Sequence, residues 1–160
     1  MIIMHLDLKA CMSTLLLTDK FDHLLLLEGE ITTFNTFRID GYLQKDFLCE
    51  EITELYSRWS TLREYCLSLI RGKQTPLRFS FVFALPREEI QTFVTDSAIE
   101  EPVDNVQGLY LNLSYDGTDL RCTTGTFLKT FSLDKTVEKE WDKKAQQLFT
   151  NWQIDFDCLS

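Results

Sequence analysis

The sequence predicts an α+β fold on a mainly antiparallel sheet, with one strand-rich plan laid out twice. Three observations carry this. Two Asp-Gly pairs, Asp40-Gly41 and Asp116-Gly117, each stand between strand-like runs. A type I′ turn demands positive φ at both central positions, so Asp-Gly is a strong hairpin signal. Two apolar stripes at three- and four-residue spacing, centred on Trp59 and Trp141, read as amphipathic helices. Finally, the order of elements from Ile2–Leu6 to the Trp59 helix recurs from Phe79–Phe83 to the Trp141 helix. Gly41-x-x-x-Lys45-x-Phe47 is echoed by Gly125-x-x-x-Lys129-x-Phe131. A repeat of this kind predicts one domain over 1–160 with pseudo-repeat halves of about 1–73 and 74–160, strand–helix–three strands–helix in each, related by a pseudo-twofold axis.

Taken in order, Ile2–Leu6 reads as a strand and Lys9–Leu17 as a short helix carrying Leu8, Met12, Leu15 and Leu16 on one side. Phe21–Leu27 and Ile31–Ile39 read as strands, the second rich in β-branched and aromatic residues. Tyr42–Leu48 is expected to return from the Asp40-Gly41 turn. A helix over about Glu50–Ile70 follows, with Leu55, Trp59, Leu62, Cys66 and Leu69 as its stripe. Its acidic start suits the helix dipole, Arg71 suits its end, and Gly72 supplies the stop.

In the second half Leu77–Leu85 alternates Phe79, Phe81 and Phe83 onto one face. Pro86 precedes a helix over Arg87–Asp96 with Glu88 and Glu89 in its first turn. Ser97–Asn105 is a loop, and Leu109–Tyr115, Leu120–Cys122 and Thr126–Phe131 are strands. A last helix runs over about Thr136–Trp152, capped by Asp134, with Val137, Trp141, Ala145, Leu148 and Trp152 inward.

With 160 residues, 44% hydrophobic and 26% charged, the chain has the composition of a soluble globular domain. The apolar start Met1–Met4 lacks a basic flank and is broken by Asp7 and Lys9, so neither a signal peptide nor a membrane span is expected. Five scattered cysteines without a CxxC pair predict free thiols in a reducing cytoplasm. The net charge of −9 concentrates between Arg87 and Asp119, and it disfavours contact with a nucleic-acid backbone. No metal and no cofactor is expected, because His5 and His23 share no ligand spacing with cysteine and the chain has no phosphate-binding glycine loop.

No catalytic residue is assigned. Neither histidine belongs to a triad pattern, and no Gly-x-Ser-x-Gly elbow occurs. Cys122-Thr123-Thr124-Gly125-Thr126 collects hydroxyls, yet turn chemistry explains it. The strand Thr32–Arg38 carries polar and aromatic residues on both faces, which suits a partner surface better than a core. Asn35, Arg38, Lys45 and Asp46 are its candidate contacts, and Glu100 and Glu101 are candidates on a charged loop.

The segments Ile31–Phe37, Ile39-Asp40-Gly41, Leu43–Phe47, Thr75-Pro76-Leu77, Val106–Leu109, Cys122–Thr126 and Leu133-Asp134-Lys135 resemble a family of small uncharacterised proteins, a domain of unknown function, from clostridial gut bacteria. The resemblance spans nearly the whole chain. It implies a cytoplasmic bacterial protein and no particular activity. In outline the repeated plan is also similar to DNA sliding clamps and to the TATA-binding-protein fold, an analogy of topology alone. The expected function is a non-catalytic cytosolic module for protein interaction or regulation, with homo-oligomerisation open. A nucleic-acid-binding or clamp-like module is the alternative, and a small-molecule enzyme the third reading.

Overall fold

A computed structural model describes residues 1–70 and 74–159. Its strands are β1 (Ile3–Leu6), β2 (Leu25–Thr32), β3 (Thr36–Asp40), β4 (Arg78–Ala84), β5 (Val106–Tyr115), β6 (Leu120–Leu128) and β7 (Phe156–Cys158). Its α-helices are α1 (Leu8–Leu17), α2 (Trp59–Ile70), α3 (Arg87–Asp96) and α4 (Thr136–Asn151), and single 3₁₀ turns lie at Lys45–Phe47 and Val103–Asn105. The strands form one seven-stranded sheet in the order β3-β2-β4-β5-β6-β1-β7. Every neighbouring pair is antiparallel, as the α+β reading requires.

All four helices cover the same face, because only that face carries the apolar set. Phe79, Phe81 and Phe83 of β4 point into it, with Leu109, Leu111 and Leu113 of β5 beside them. Pleating sends alternate side chains to opposite faces, so Ser80, Val82, Asn112 and Ser114 line the other face, which no helix covers. Both Trp59 and Trp141 are fully buried. Trp59 meets Phe81 and Phe83 edge-on, each at 5.3 Å, and Trp141 meets Phe93 at 5.8 Å. Each indole N–H donates to a backbone carbonyl, Leu15 for Trp59 and Tyr110 for Trp141. That satisfies the one polar group each ring takes out of water.

The structure departs from the sequence expectations in the first half. Asp40-Gly41 is not a hairpin turn. The Gly41 N–H donates to the Leu27 carbonyl at 2.9 Å, so the β2–β3 ladder reaches Gly41 and ends there. The turn lies at Thr33–Asn35, and Tyr42–Leu48 forms no strand. A Cβ on Gly41 would sit 1.8 Å from the Leu26 carbonyl oxygen, so here glycine serves close backbone approach. At Asp116-Gly117 the same dipeptide does turn, with Gly117 at φ +100°. The helix of the first half starts at Trp59 and not at Glu50, since Leu55–Arg58 pairs with the Leu25–Leu26 and Gly41–Leu43 backbones. Arg71 and Gly72, expected at its end, lie outside the described residues. In the second half the two expected strands over 120–131 are one, β6.

The strand order does not confirm the expected pseudo-twofold. The succession β-α-β-β-α occurs in both halves, but β4, β5 and β6 are contiguous whereas β1 lies beyond β6, with three strands between it and β2. Strand β1 pairs instead with β6 and β7, which puts Met4 and Leu6 into the common core. The glycine echo falls in different settings too: Gly125 is within β6, and Gly41 ends a ladder. Among the described residues, no helix is long and apolar enough to cross a membrane.

Candidate functional site

Antiparallel pairing places Leu25, Asp40, Ala84, Val106 and Leu128 at one end of the sheet. The segments 41–58, 97–105 and 129–135 therefore gather there. Hydrogen bonds fix each of them. Leu26 N–H donates to Ser57 C=O, Ser57 N–H to Gly41 C=O, and Leu43 N–H to Leu55 C=O. Asn105 ties the other two together: its carbonyl accepts from Lys129 N–H at 2.8 Å and its side-chain oxygen from Thr130 N–H at 2.8 Å. The Asn105 amide in turn donates to Glu101. Glu101, Asp104, Asn105, Lys129 and Phe131 thus line one shallow basin of about 520 Å³.

Large apolar side chains stand out from this end. Phe47 is 87% exposed, Phe131 83% and Leu133 84%, and Tyr42, Leu55 and Phe127 are about half exposed. Monomeric surfaces rarely gather so many large apolar groups without a use for them. The segments and strand ends gathered here also carry the exposed carboxylates of Asp40, Asp46, Glu50, Glu51, Glu100 and Asp104. The basic residues are fewer or engaged. Lys45 and Lys129 are exposed, Arg87 donates to the Val103 and Val106 carbonyls, and Arg58 joins Glu54 and Glu88 at 2.7 and 2.6 Å. This end is apolar and negative.

The six predicted contacts divide accordingly. Lys45 and Asp46 sit exposed on the 3₁₀ turn, and Glu100 and Glu101 sit beyond α3, all at this end. Strands β3 and β5, which the two pairs adjoin in the chain, are three positions apart in the sheet, roughly 14 Å at ~4.8 Å per strand. Asn35 lies at the opposite end, on the β2–β3 turn. Arg38 is between, 81% exposed and 3.2 Å from Glu30. Sequence reasoning missed the apolar members. Phe47 and Phe131 are the final residues of the repeated Gly-Lys-Phe echo, so a signal was present and was read as architecture.

Two other places could hold chemistry. A cleft of about 510 Å³ between α3 and α4 is lined by His23, Glu89, Thr92, Asp96, Glu140 and Lys144. His23 Nδ1 lies 2.7 Å from a Glu89 oxygen, and the His23 carbonyl accepts from Arg58. The same guanidinium holds the Glu88 carboxyl below its usual range. The Thr92 hydroxyl donates to the Glu88 carbonyl at 3.1 Å. This network staples α3 to the start of α2. The thiols of Cys11, Cys66 and Cys122 are pushed up by burial, the first two to about 12, the opposite of an activated nucleophile. Among the described residues, no three His, Cys, Asp or Glu side chains are grouped to hold a metal ion.

The uncovered sheet face mixes charges. Arg38, Arg78 and Arg121 share it with Glu28, Glu30, Asp40 and Asp157. It is not the basic concave surface that stacking on nucleic acid uses. Tyr110 lies on it over Gly108 and Gly125, where burial and nearby Tyr56 push its phenol up.

A model for a family of unknown function (DUF5721) matches residues 14–157. The chain belongs to that family. The DUF5721 match runs from within α1 to β7 and so takes in the whole negative, apolar end. No curated protein and no solved structure matches the chain.

Proposed function

We propose that this DUF5721 chain is a non-catalytic module for protein interaction or regulation, which takes a cationic, apolar segment of a partner protein at the loop end of its sheet. One observation carries the reading: Phe47, Phe131 and Leu133 stand more than four-fifths exposed among carboxylates that outnumber the free basic groups. Apolar anchors within a charged rim are the anatomy of a protein interface, and the charge selects a partner of opposite sign. Lys45, Asp46, Glu100 and Glu101 belong to the rim, with Arg38 and Asn35 further along β3. We read the chain as one unit over 1–160, working in a bacterial cytoplasm, in keeping with its free thiols and its resemblance to clostridial proteins.

Fluorescence anisotropy with a labelled lysine–leucine amphipathic peptide, and its glutamate–leucine counterpart, tests this. The wild type is expected to bind the lysine peptide only. Phe47→Ser with Phe131→Ser, or Asp46→Lys with Glu100→Lys, should weaken binding at least tenfold while leaving unfolding unchanged, since exposed substitutions shift stability by under about 0.5 kcal/mol. Equal binding by the variants, or no binding by the wild type, would overturn the assignment.

A further inference from the structure

We infer that the partner segment docks by adding a strand to the free edge of β3, an inference that rests on the reading above. The ladder between β2 and β3 decides which backbone groups are free. Its hydrogen-bonded pairs include Gly41 with Leu27 and Asn35 with Thr33, both odd-numbered positions of the register. Bonding alternates along an antiparallel pair, so Phe37 and Ile39 also face β2, and the N–H and C=O groups of Thr36, Arg38 and Asp40 face outward. Among the described residues, strand β3 is the end of the sheet and has no neighbour on that side.

Natural edges are usually shortened, bulged or covered, because unpaired strand groups template pairing. This one spans five residues with no proline and no bulge. Its side chains specify the visitor. Phe37 and Ile39 are half-buried on the helix side, so an added strand would place apolar residues over them. On the other side Glu28, Glu30 and Asp40 surround Arg38, which leaves an excess of negative charge. The segment that fits therefore alternates apolar and basic residues, as recognition by strand addition reads alternate side chains. Past Asp40 the edge leads to Tyr42 and the exposed Phe47, which makes it continuous with the loop surface.

The test uses a labelled peptide of alternating lysine and valine and two variants at one position. Arg38→Pro removes the outward N–H but no ladder bond, a change that edge strands tolerate. Arg38→Thr removes the guanidinium and keeps the N–H. Arg38→Thr is expected to bind at least as tightly as wild type, since it removes a cation that faces the basic strand, and Arg38→Pro at least tenfold more weakly than Arg38→Thr with native circular dichroism. Undiminished binding by Arg38→Pro would overturn strand addition. Should Arg38→Pro misfold, backbone N-methylation of the peptide on its β3-facing residues replaces it, with the same expected loss and retained affinity again overturning the inference. Binding of the lysine–leucine peptide alone, still lost in the Phe47→Ser, Phe131→Ser protein, would sink strand addition and leave the proposed function standing. Failure of both peptides would remove both.

Discussion

The indole N–H of Trp59 donates to the Leu15 carbonyl at 2.9 Å, with both residues buried. Leu15 lies in the last turn of α1, where a carbonyl has no partner within its own helix. Trp59 opens α2, so a single side chain closes the end of one helix while fixing the start of another against Phe81 and Phe83.

Trp59→Ala should therefore cost roughly 3–5 kcal/mol, from lost burial plus the cavity left behind. Trp59→Phe should restore most of the packing yet leave the Leu15 carbonyl unpaired, a loss of about 1–3 kcal/mol. Urea denaturation of the three proteins measures both. Equal stability of Trp59→Phe and wild type would show that the hydrogen bond adds nothing.

The glycines should rank by what a methyl group meets. Gly41→Ala drives Cβ into the Leu26 carbonyl at 1.8 Å, and backbone on both sides must move. Gly108→Ala meets first the Tyr110 phenol, its oxygen at 2.1 Å, and a side chain can swing away. Gly41→Ala is expected to be poorly soluble or several kcal/mol less stable, beyond the ordinary range of point substitutions. Gly108→Ala should fold. Melting temperatures in the reverse order would contradict the close packing at Gly41.

Thiol reactivity should split in two. Cys49 and Cys158 are exposed, whereas Cys11, Cys66 and Cys122 are buried with pKa values raised by desolvation. Under native conditions near neutral pH, iodoacetamide should label the first two and spare the others until denaturant is added. The sign of the linkage follows from the same shift. The folded state retains thiol protons that the unfolded chain releases above its pKa of about 9. The stabilisation is complete below that pH and is lost as pH rises toward 12. Denaturant midpoints from pH 8 upward should fall, and a Cys66→Ala protein should fall less steeply.

On the acid side Glu88 behaves oppositely. Arg58 lowers its folded pKa beneath the ordinary 4.5, so its contribution is present above that pH and lost as pH drops through the folded value. The pair is partly exposed, so screening holds it to within about 1 kcal/mol. Arg58→Met should lower stability near neutrality and flatten the decline below about pH 4.5. An unchanged acid limb in Arg58→Met would assign that decline to other carboxylates.

Much of the architecture was legible where side-chain period and burial agree. The alternation of Phe79, Phe81 and Phe83 marked β4, and the stripe through Val137, Trp141 and Ala145 marked α4, because burying those sets leaves one solution for each element. The segment 41–58 was misread because its apolar residues Leu43, Phe47 and Leu55 suggested periodic elements. Its conformation instead follows from bonds to Leu24–Leu27, far away in sequence. The six candidate contacts were named for their chemistry, and the sheet direction then separated Asn35 from Lys45, Asp46, Glu100 and Glu101.

The sequence by itself determined the fold class, the identity of most helices and strands, the two core tryptophans and the acidic balance, since each is a property of local pattern or composition. Only the tertiary structure decided the order of strands, the fate of each Asp-Gly pair, the exposure of Phe47 and Phe131, and the open edge at β3. The physical reason is that local preference selects an element, whereas its neighbour is chosen by non-local hydrogen bonds and shared burial. Strand β1, set beside β6 and β7 across the whole length of the chain, is the clearest case.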